Sequence, residues 1–359
     1  RVCIAQQPAD DITLSYGLVS HNGTGEEYGR VPLSQLGDGA YTGGSVYNFG
    51  VNDATNVDLS MEVTDATGYP VTSQSGYSMY GTDADGFLDM STTISGPIAS
   101  DQSVYFEDMT PMPVPAGLYT ATFTASSSGD SNGGEYFGDN TATREFEFTD
   151  GLYSTDGIDV YSNPSISRMG TGSFTDGSDG FMMMSYYDIS ETTTLGGVWI
   201  GLDSYAFGAN ALTVPGGELV VALRDTSLIS NETFDPGAVI ESSDFYLITQ
   251  EDIDNGFVIV PFSSNVTLNP NAYFVSVEMY SNGNSTDIYI LDDETIPQPF
   301  YFSMIYIPGD QVYSNGTAAA IRMVTGDAWD TVNLDEKSLE FSIYPNPSNG
   351  MINIELDEN

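Results

Sequence analysis

The sequence predicts an all-β protein made of tandem antiparallel β-sandwiches, and three observations carry that prediction. Apolar and polar residues alternate in short runs, as where Val57, Leu59, Met61 and Val63 interleave with Asp58, Ser60 and Glu62. That is the period of a strand with one buried face. The runs are separated by turns rich in Gly, Asn, Asp and Ser, as at 65–68 and 126–134; these residues tolerate the backbone angles that tight turns need. Helical periodicity is missing from the long stretches between them, which favours sandwiches over mixed folds.

Taken in order, residues 1–9 form a lead, in which Val2, Cys3, Ile4, Ala5 and Gln6 read as the tail of a signal peptide's apolar region. Residues 10–149 form the first domain. Its later strands are marked by Tyr119, Ala121 and Phe123 alternating with threonines, and by Phe146 and Phe148. Residues 150–157 are a short joint holding Gly151 and Gly157, so the two domains should sit close together.

The second domain, 158–326, carries strand signals at Val198 to Leu202, Leu219 to Leu223, Phe257 to Phe262, Tyr273 to Met279, Ile288 to Leu291 and Ala318 to Val324. About eight strands with long connections point to a jelly-roll-like sandwich. One helical piece is expected at Thr249 to Asn255, with Thr249 as cap and Asp252 three positions on. Residues 327–339 read as a polar linker, and 340–359 as a closing segment.

That closing segment has the most specific pattern in the chain. Phe341 and Ile343 begin a strand. Pro345 and Pro347 flank Asn346 and hold Tyr344 and Asn346 extended. Ser348, Asn349 and Gly350 make a turn, and Ile352, Ile354 and Leu356 alternate with polar residues. The unit is therefore strand, stiff elbow, turn, strand. The run Tyr344, Pro345, Asn346, Pro347, then Gly350, Ile352 and Ile354 resembles the opening of the C-terminal sorting domain of type IX secretion substrates of Bacteroidetes. The resemblance covers 340–359. In that family the domain continues through further strands to a short basic end, so the expectation here is a truncated sorting domain and the start of a small β-sandwich. It implies export through the periplasm by the type IX machinery to the outer surface or the medium. The first domain resembles the Ig-like adhesion modules of secreted proteins of the same bacteria, on Tyr47 to Gly50, Val57 to Val63, Gly117 to Tyr119, and Asp139 with Asn140. This second resemblance concerns fold alone.

Composition narrows the chemistry. The 359 residues hold 51 Asp and Glu against 7 Lys and Arg, a formal charge of −44. Such a field repels nucleic-acid phosphates and anionic lipid, so neither is an expected partner. With 40% hydrophobic residues, 23 Tyr and 18 Phe, the chain has enough apolar surface to fold despite its acidity. No apolar run reaches the length of a membrane span. A lone cysteine, Cys3, cannot form a disulfide within the chain, and a lone histidine, His21, disfavours a Ser-His-Asp relay or a histidine-based zinc site.

Two acidic constellations remain. Asp83, Asp85 and Asp89 around Gly86 have the every-second-residue spacing that wraps oxygen ligands round calcium, as a structural clip. Asp176 and Asp179 before Gly180 form a weaker candidate of the same kind. Glycoside hydrolysis needs two carboxylates about 5–10 Å apart, and Glu218 and Glu278, each in an apolar strand, are the pair to examine. Tyrosines suited to stacking on sugars include Tyr77, Tyr80, Tyr136, Tyr186 and Tyr187, although tyrosines also fill the edges of sandwich cores. Met182, Met183 and Met184 cannot all face one side of a strand, so part of the run packs under a loop, the favoured reading, or lies against another domain or partner. Asp330, Thr331 and Val332 resemble the bacterial O-glycosylation signal at Thr331. The expected role is non-catalytic: adhesion, surface structure or glycan binding, with polysaccharide or another surface protein as partner. A secreted hydrolase using a carboxylate pair is the alternative.

Overall fold

The structure is a computed structural model and describes residues 7–20, 26–82, 88–130, 139–173, 179–204, 212–227, 236–326, 341–344 and 353–356. It is all-β, with antiparallel sheets forming two sandwiches in tandem.

The first sandwich uses β1 (Ile12–Ser20), β2 (Arg30–Pro32), β3 (Ala40–Asn48), β4 (Asp58–Asp65), β5 (Pro70–Ser75), β6 (Met79–Thr82), β7 (Leu88–Thr93), β8 (Ser103–Thr110), β9 (Gly117–Ser126) and β10 (Thr141–Thr149). One sheet runs β1-β3-β8-β6-β7 and the other β2-β10-β9-β4-β5. This division of strands between sheets is Ig-like. The alternation seen in the sequence becomes the core: Leu59, Met61 and Val63 of β4 lie inward with Ala121, Phe123 and Ala125 of β9, all buried. Gly17 is required opposite them, because a Cβ there would lie 2.3 Å from the Phe123 ring. The Tyr119 hydroxyl donates to the Pro115 carbonyl at 2.8 Å, the tyrosine corner common at this point of Ig-like folds.

The second sandwich uses β11 (Leu152–Tyr153), β12 (Ile166–Gly170), β13 (Phe181–Ile189), β14 (Thr193–Gly201), β15 (Glu218–Arg224), β16 (Val239–Ser242), β17 (Tyr246–Leu247), α1 (Gln250–Asn255), β18 (Phe257–Leu268), β19 (Asn271–Tyr280), β20 (Tyr289–Asp293), β21 (Ser303–Tyr306), β22 (Val312–Ser314), β23 (Ala318–Ala319) and β24 (Ile321–Thr325). One layer is β16-β15-β19-β13-β21-β22, with β17 beside β15. The other combines β11-β24-β14-β18 with β12-β20-β23. The two pieces meet at Ala320, whose carbonyl accepts from Gly201 N and whose N–H donates to Leu291 O. The chain crosses between layers at successive long strands, from β13 to β14, β15, β18, β19, β20, β21 and then β24, the winding a jelly-roll-like sandwich leads one to expect. A second tyrosine corner opens β19, where the Tyr273 hydroxyl donates to Asn269 O at 3.1 Å.

The helix forms where its capping residues place it. Thr249 N donates to Asp252 Oδ2 at 2.8 Å, and Asp252 N donates back to Thr249 Oγ1 at 3.2 Å. Gly256 ends it with φ +79°. The methionine run divides by strand geometry. Met183 enters the main core, while Met182 and Met184 join Phe274, Met304 and Val312 in a separate buried cluster on the other face of β13. Residues 341–344 and 353–356 form β25 (Phe341–Tyr344) and β26 (Asn353–Leu356), an antiparallel hairpin with Tyr344 opposite Asn353 and Ile343 opposite Ile354.

The two sandwiches share one hydrophobic cluster. Tyr28 of the first lies 4.7 Å from Tyr153 and 5.1 Å from Phe302, centroid to centroid. Gln35 clamps the start of the β13–β14 turn: its Oε1 accepts from Ser190 N and Glu191 N, and its Nε2 donates to Glu191 O. The five arginines among the described residues are all built into the fold. Arg30 pairs with Glu147 at 2.9 Å, Arg144 with Glu27 at 3.1 Å, Arg168 with Asp203 at 2.9 Å and Arg322 with Asp156 at 2.6 Å. Arg224 donates to Ser276 Oγ and Gly237 O, both at 2.9 Å.

Candidate functional site

The described surface gathers exposed aromatic rings and carboxylates at one edge of the second sandwich. In the β15–β19 register Val220 faces Glu278 and Glu218 faces Tyr280. Side chains two apart on a strand share a face, so Glu218 and Glu278 are diagonal neighbours on one surface, a separation of about 7–8 Å at the backbone. The Tyr280 hydroxyl donates to Glu278 Oε1 at 2.7 Å. Burial and that hydrogen bond push the Tyr280 phenol up to about 12, so it stays a donor at neutral pH.

Phe245 completes the patch. It is 62% exposed, and its ring centroid lies 5.4 Å from that of Tyr280. A shallow cavity of about 150 Å³ beside it is lined by Phe245, Tyr246, Val260, Pro261 and Phe262 with Asp244 and Ser263. Tyr246 is anchored from behind, its hydroxyl donating to Asp252 Oδ1 at 3.0 Å. The helix that carries Asp252 therefore braces the platform. Edge strand β16 pairs with the far end of β15, Val239 opposite Arg224, and leaves Val239 and Ile240 about half exposed. An apolar ring face flanked by carboxylate acceptors and a phenol donor can stack on a ligand and hydrogen-bond to its hydroxyls.

The same geometry is poor for hydrolysis. Glu218 is exposed and Glu278 is half-buried and held by Tyr280. Neither sits in a dry, apolar pocket of the kind that suits a general acid.

A second cavity, of about 310 Å³, opens on the first sandwich between Asp11, Thr13, Phe49 and Asp139. Nearby, Asp130 Oδ2 accepts from Ile12 N and Asn140 Nδ2, which ties the loop before β10 to the start of β1. Among the described residues no group of three or more His, Cys, Asp or Glu side chains is placed to hold a metal ion.

The residues singled out in the sequence fall as follows. Asp83 and Asp85 lie outside the described residues; Asp89 Oδ1 accepts from both the N–H and the hydroxyl of Ser91, and the Ser91 bonds hold the Asp89 carboxyl below its usual range. Asp176 lies outside the described residues, and Asp179 Oδ1 accepts from Ser281 N at 2.7 Å. In the closing segment Tyr344 and Ile354 lie in β25 and β26, while Pro345, Asn346, Pro347, Gly350 and Ile352 lie outside the described residues, as do Thr331, His21, Cys3 and Tyr136. Of the tyrosines considered for stacking, Tyr77 and Tyr187 are buried and Tyr80 and Tyr186 half-buried, so they serve the core and its edges. Phe245 and Tyr280 escaped notice. The available signal was an aromatic pair, Phe245 and Tyr246, directly following the polar run Glu241 to Asp244.

No family model matches the chain, and no curated protein matches it. Among solved structures it is similar to a CARDB domain from Pyrococcus furiosus, determined in complex with di-metal ions, at 12% identity and a TM-score of 0.24. The match covers 41% of this chain and 95% of that one. A score so low says nothing about metal binding here.

Proposed function

We propose that this is a non-catalytic surface protein that acts in adhesion by binding glycan at the Phe245–Tyr280 face. In this reading the type IX machinery exports it through the periplasm, on the signal of the Tyr344 to Ile354 segment. The observation that carries the binding role is the exposed Phe245 ring packed on Tyr280, with Glu278 and Glu218 beside it. Burying one large ring from water is unfavourable to undo, so a monomer that leaves Phe245 exposed keeps a ready surface for a ligand. Carboxylates and a phenol at its rim suit a neutral, hydroxyl-rich partner better than an anionic one. The seam between the sandwiches supports a load-bearing role, because a shared core resists hinge motion. Calcium at Asp83, Asp85 and Asp89, and a glycan on Thr331, belong to the same proposal as aids to stability outside the cell.

The test is retention of the full chain on a panel of insoluble polysaccharides, with calcium or with chelator, beside Phe245→Ala. Retention on one polymer that Phe245→Ala abolishes is the expected result. Equal retention of both proteins would remove the Phe245 face from the mechanism. Release of soluble sugar would replace this reading with the hydrolase alternative. Retention lost only in chelator would bring the Asp83 loop into binding.

A further inference from the structure

Two buried acids, Glu26 and Glu27, stand where the first sandwich meets the second, and a third, Glu107, lies within electrostatic reach of Glu26. Glu26 is 1% exposed, Glu107 2% and Glu27 7%. Glu27 is paired, its Oε2 accepting from Arg144 Nε at 3.1 Å. The other two are under-partnered. Glu26 Oε1 accepts from the Tyr301 hydroxyl at 2.5 Å, but its Oε2 is buried with no hydrogen-bond partner. Glu107 Oε1 is buried with no partner as well. Tyr301 belongs to the second sandwich, and so does Gln298, whose Nε2 donates across the seam to Glu27 O at 3.0 Å. Gln298 Oε1 is the third buried acceptor here without a donor.

The surrounding charges make matters worse for an ionised acid. Glu107 feels Asp108 on its own strand and Glu26 opposite, and the phenol of Tyr16 on β1 lies within reach. Glu26 feels Asp188 of β13. The phenols of Tyr28, Tyr153 and Tyr186 lie in its field, with Tyr301 bonded to it. Arg144 is engaged by Glu27. Among the described residues no cation stands among the charges acting on Glu26 or Glu107. Two buried like charges without a counter-charge are avoided by keeping a proton.

We propose that Glu26 and Glu107 form a proton-dependent latch at the seam, closed while both carboxyls are protonated and loosened when they ionise. Burial pushes Glu107 up to about 7, with Asp108 and Glu26 adding to it. Burial also raises Glu26, against the opposing Tyr301 bond. A folded-state pKa above the unfolded one gives stabilisation that is complete below the unfolded value of 4.5 and is lost as pH rises through about 7. The latch therefore weakens progressively above pH 4.5 and is fully slack above about pH 7. Release affects the Tyr301 and Gln298 side of the seam, where both residues bond to the Glu26–Glu27 segment, while the Arg322–Asp156 pair is not among the charges acting on either acid.

Glu27, Asp292 and Asp293 are raised too, so the test must be local. Hydrogen exchange of the full chain, corrected for intrinsic rates, is compared at pH 6 and pH 8 for the segment around Tyr301 and for β9 as control. Wild type should lose protection at the seam by up to about tenfold between pH 6 and pH 7 through Glu107, with the loss levelling off above that and β9 little changed. Glu107→Gln and Glu26→Gln should each flatten that dependence. Equal loss in wild type and both variants, or no local loss, overturns the latch. Should either variant fail to fold, carbon NMR of carboxyl-labelled glutamate in wild type decides: assigned Glu26 and Glu107 carboxyl resonances that are protonated at pH 6 and ionised at pH 8.5 support it, and ionised resonances at pH 6 overturn it.

Discussion

Arg322 grips Asp156 with two donors, Nε on Oδ2 at 2.8 Å and Nη2 on Oδ1 at 2.6 Å, and the two side chains are 4% and 0% exposed. The guanidinium also lies 3.9 Å over the Trp199 ring, adding a cation–π contact. Burial by itself would push the Asp156 carboxyl up; Arg322 and Arg30 outweigh it and hold the carboxyl below its usual range. Removing one partner of such a pair strands a buried charge, while replacing both does not. Arg322→Met should therefore cost about 3–5 kcal/mol of unfolding free energy, and the double replacement Arg322→Met with Asp156→Leu distinctly less. Urea unfolding of the three proteins measures the difference.

The two tyrosine corners make a matched pair of small effects. Tyr119→Phe and Tyr273→Phe each remove one hydroxyl that donates to a carbonyl four residues upstream. Each should lower stability by about 0.5–1.5 kcal/mol. If the sandwiches unfold as one unit through their shared core, both substitutions shift a single thermal transition. Calorimetry showing two separate transitions, each moved by one substitution alone, would refute that coupling.

Stability and binding should separate between Met183 and Phe245. Met183 is fully buried in the main core, so Met183→Ala should cost about 2–5 kcal/mol. Phe245 is mostly in water, so Phe245→Ala should change stability by about 0.5 kcal/mol or less while removing polysaccharide retention. Denaturant midpoints and the retention assay on the same two variants check both halves.

Asp292 supplies a pH dependence of its own. Burial pushes its carboxyl up to about 6, against hydrogen bonds that Asn315 and Thr317 donate to Oδ2. Its contribution to stability is present below the unfolded value of 3.8 and lost as pH rises through about 6. Asp292→Asn should flatten the stability profile between pH 4 and pH 7 and leave the seam around Tyr301 unaffected. Denaturant midpoints across that range read it directly.

How much of this was legible depends on how local each cause is. The strands β4, β9 and β10 were readable because their alternation maps onto one buried face, and α1 because its cap lies within four residues of sequence. The break at Ala320 was not, since it follows from where β20 and β14 meet the same chain segment. The methionine run gave the right geometric constraint but not the cluster around Phe274, which needs three strands at once. The seam was hidden for the same reason: Tyr301 and Glu26 are 275 residues apart, and nothing in either neighbourhood names the other. At the candidate face, Glu218 and Glu278 could be picked out as acids in apolar strands, but their neighbourly diagonal comes from the register of β15 and β19. Phe245 sits in the short irregular link between β16 and β17, where periodicity offers no information.

The arginines built into the fold have a colloidal consequence. The chain has 7 basic residues, and the five described ones face carboxylates, hydroxyls or carbonyls of their own fold. Among the described residues positive charge is thus turned toward the fold's own acceptors, and with a formal charge of −44 the molecule is a polyanion wrapped in a cloud of mobile counter-ions. Two copies approaching one another must compress that cloud, whose osmotic pressure keeps them apart at low salt. Added salt thins the barrier within a Debye length, and multivalent cations can bridge what monovalent ones only screen. The ionic make-up of the surrounding water thereby sets how densely such molecules can be packed on a surface.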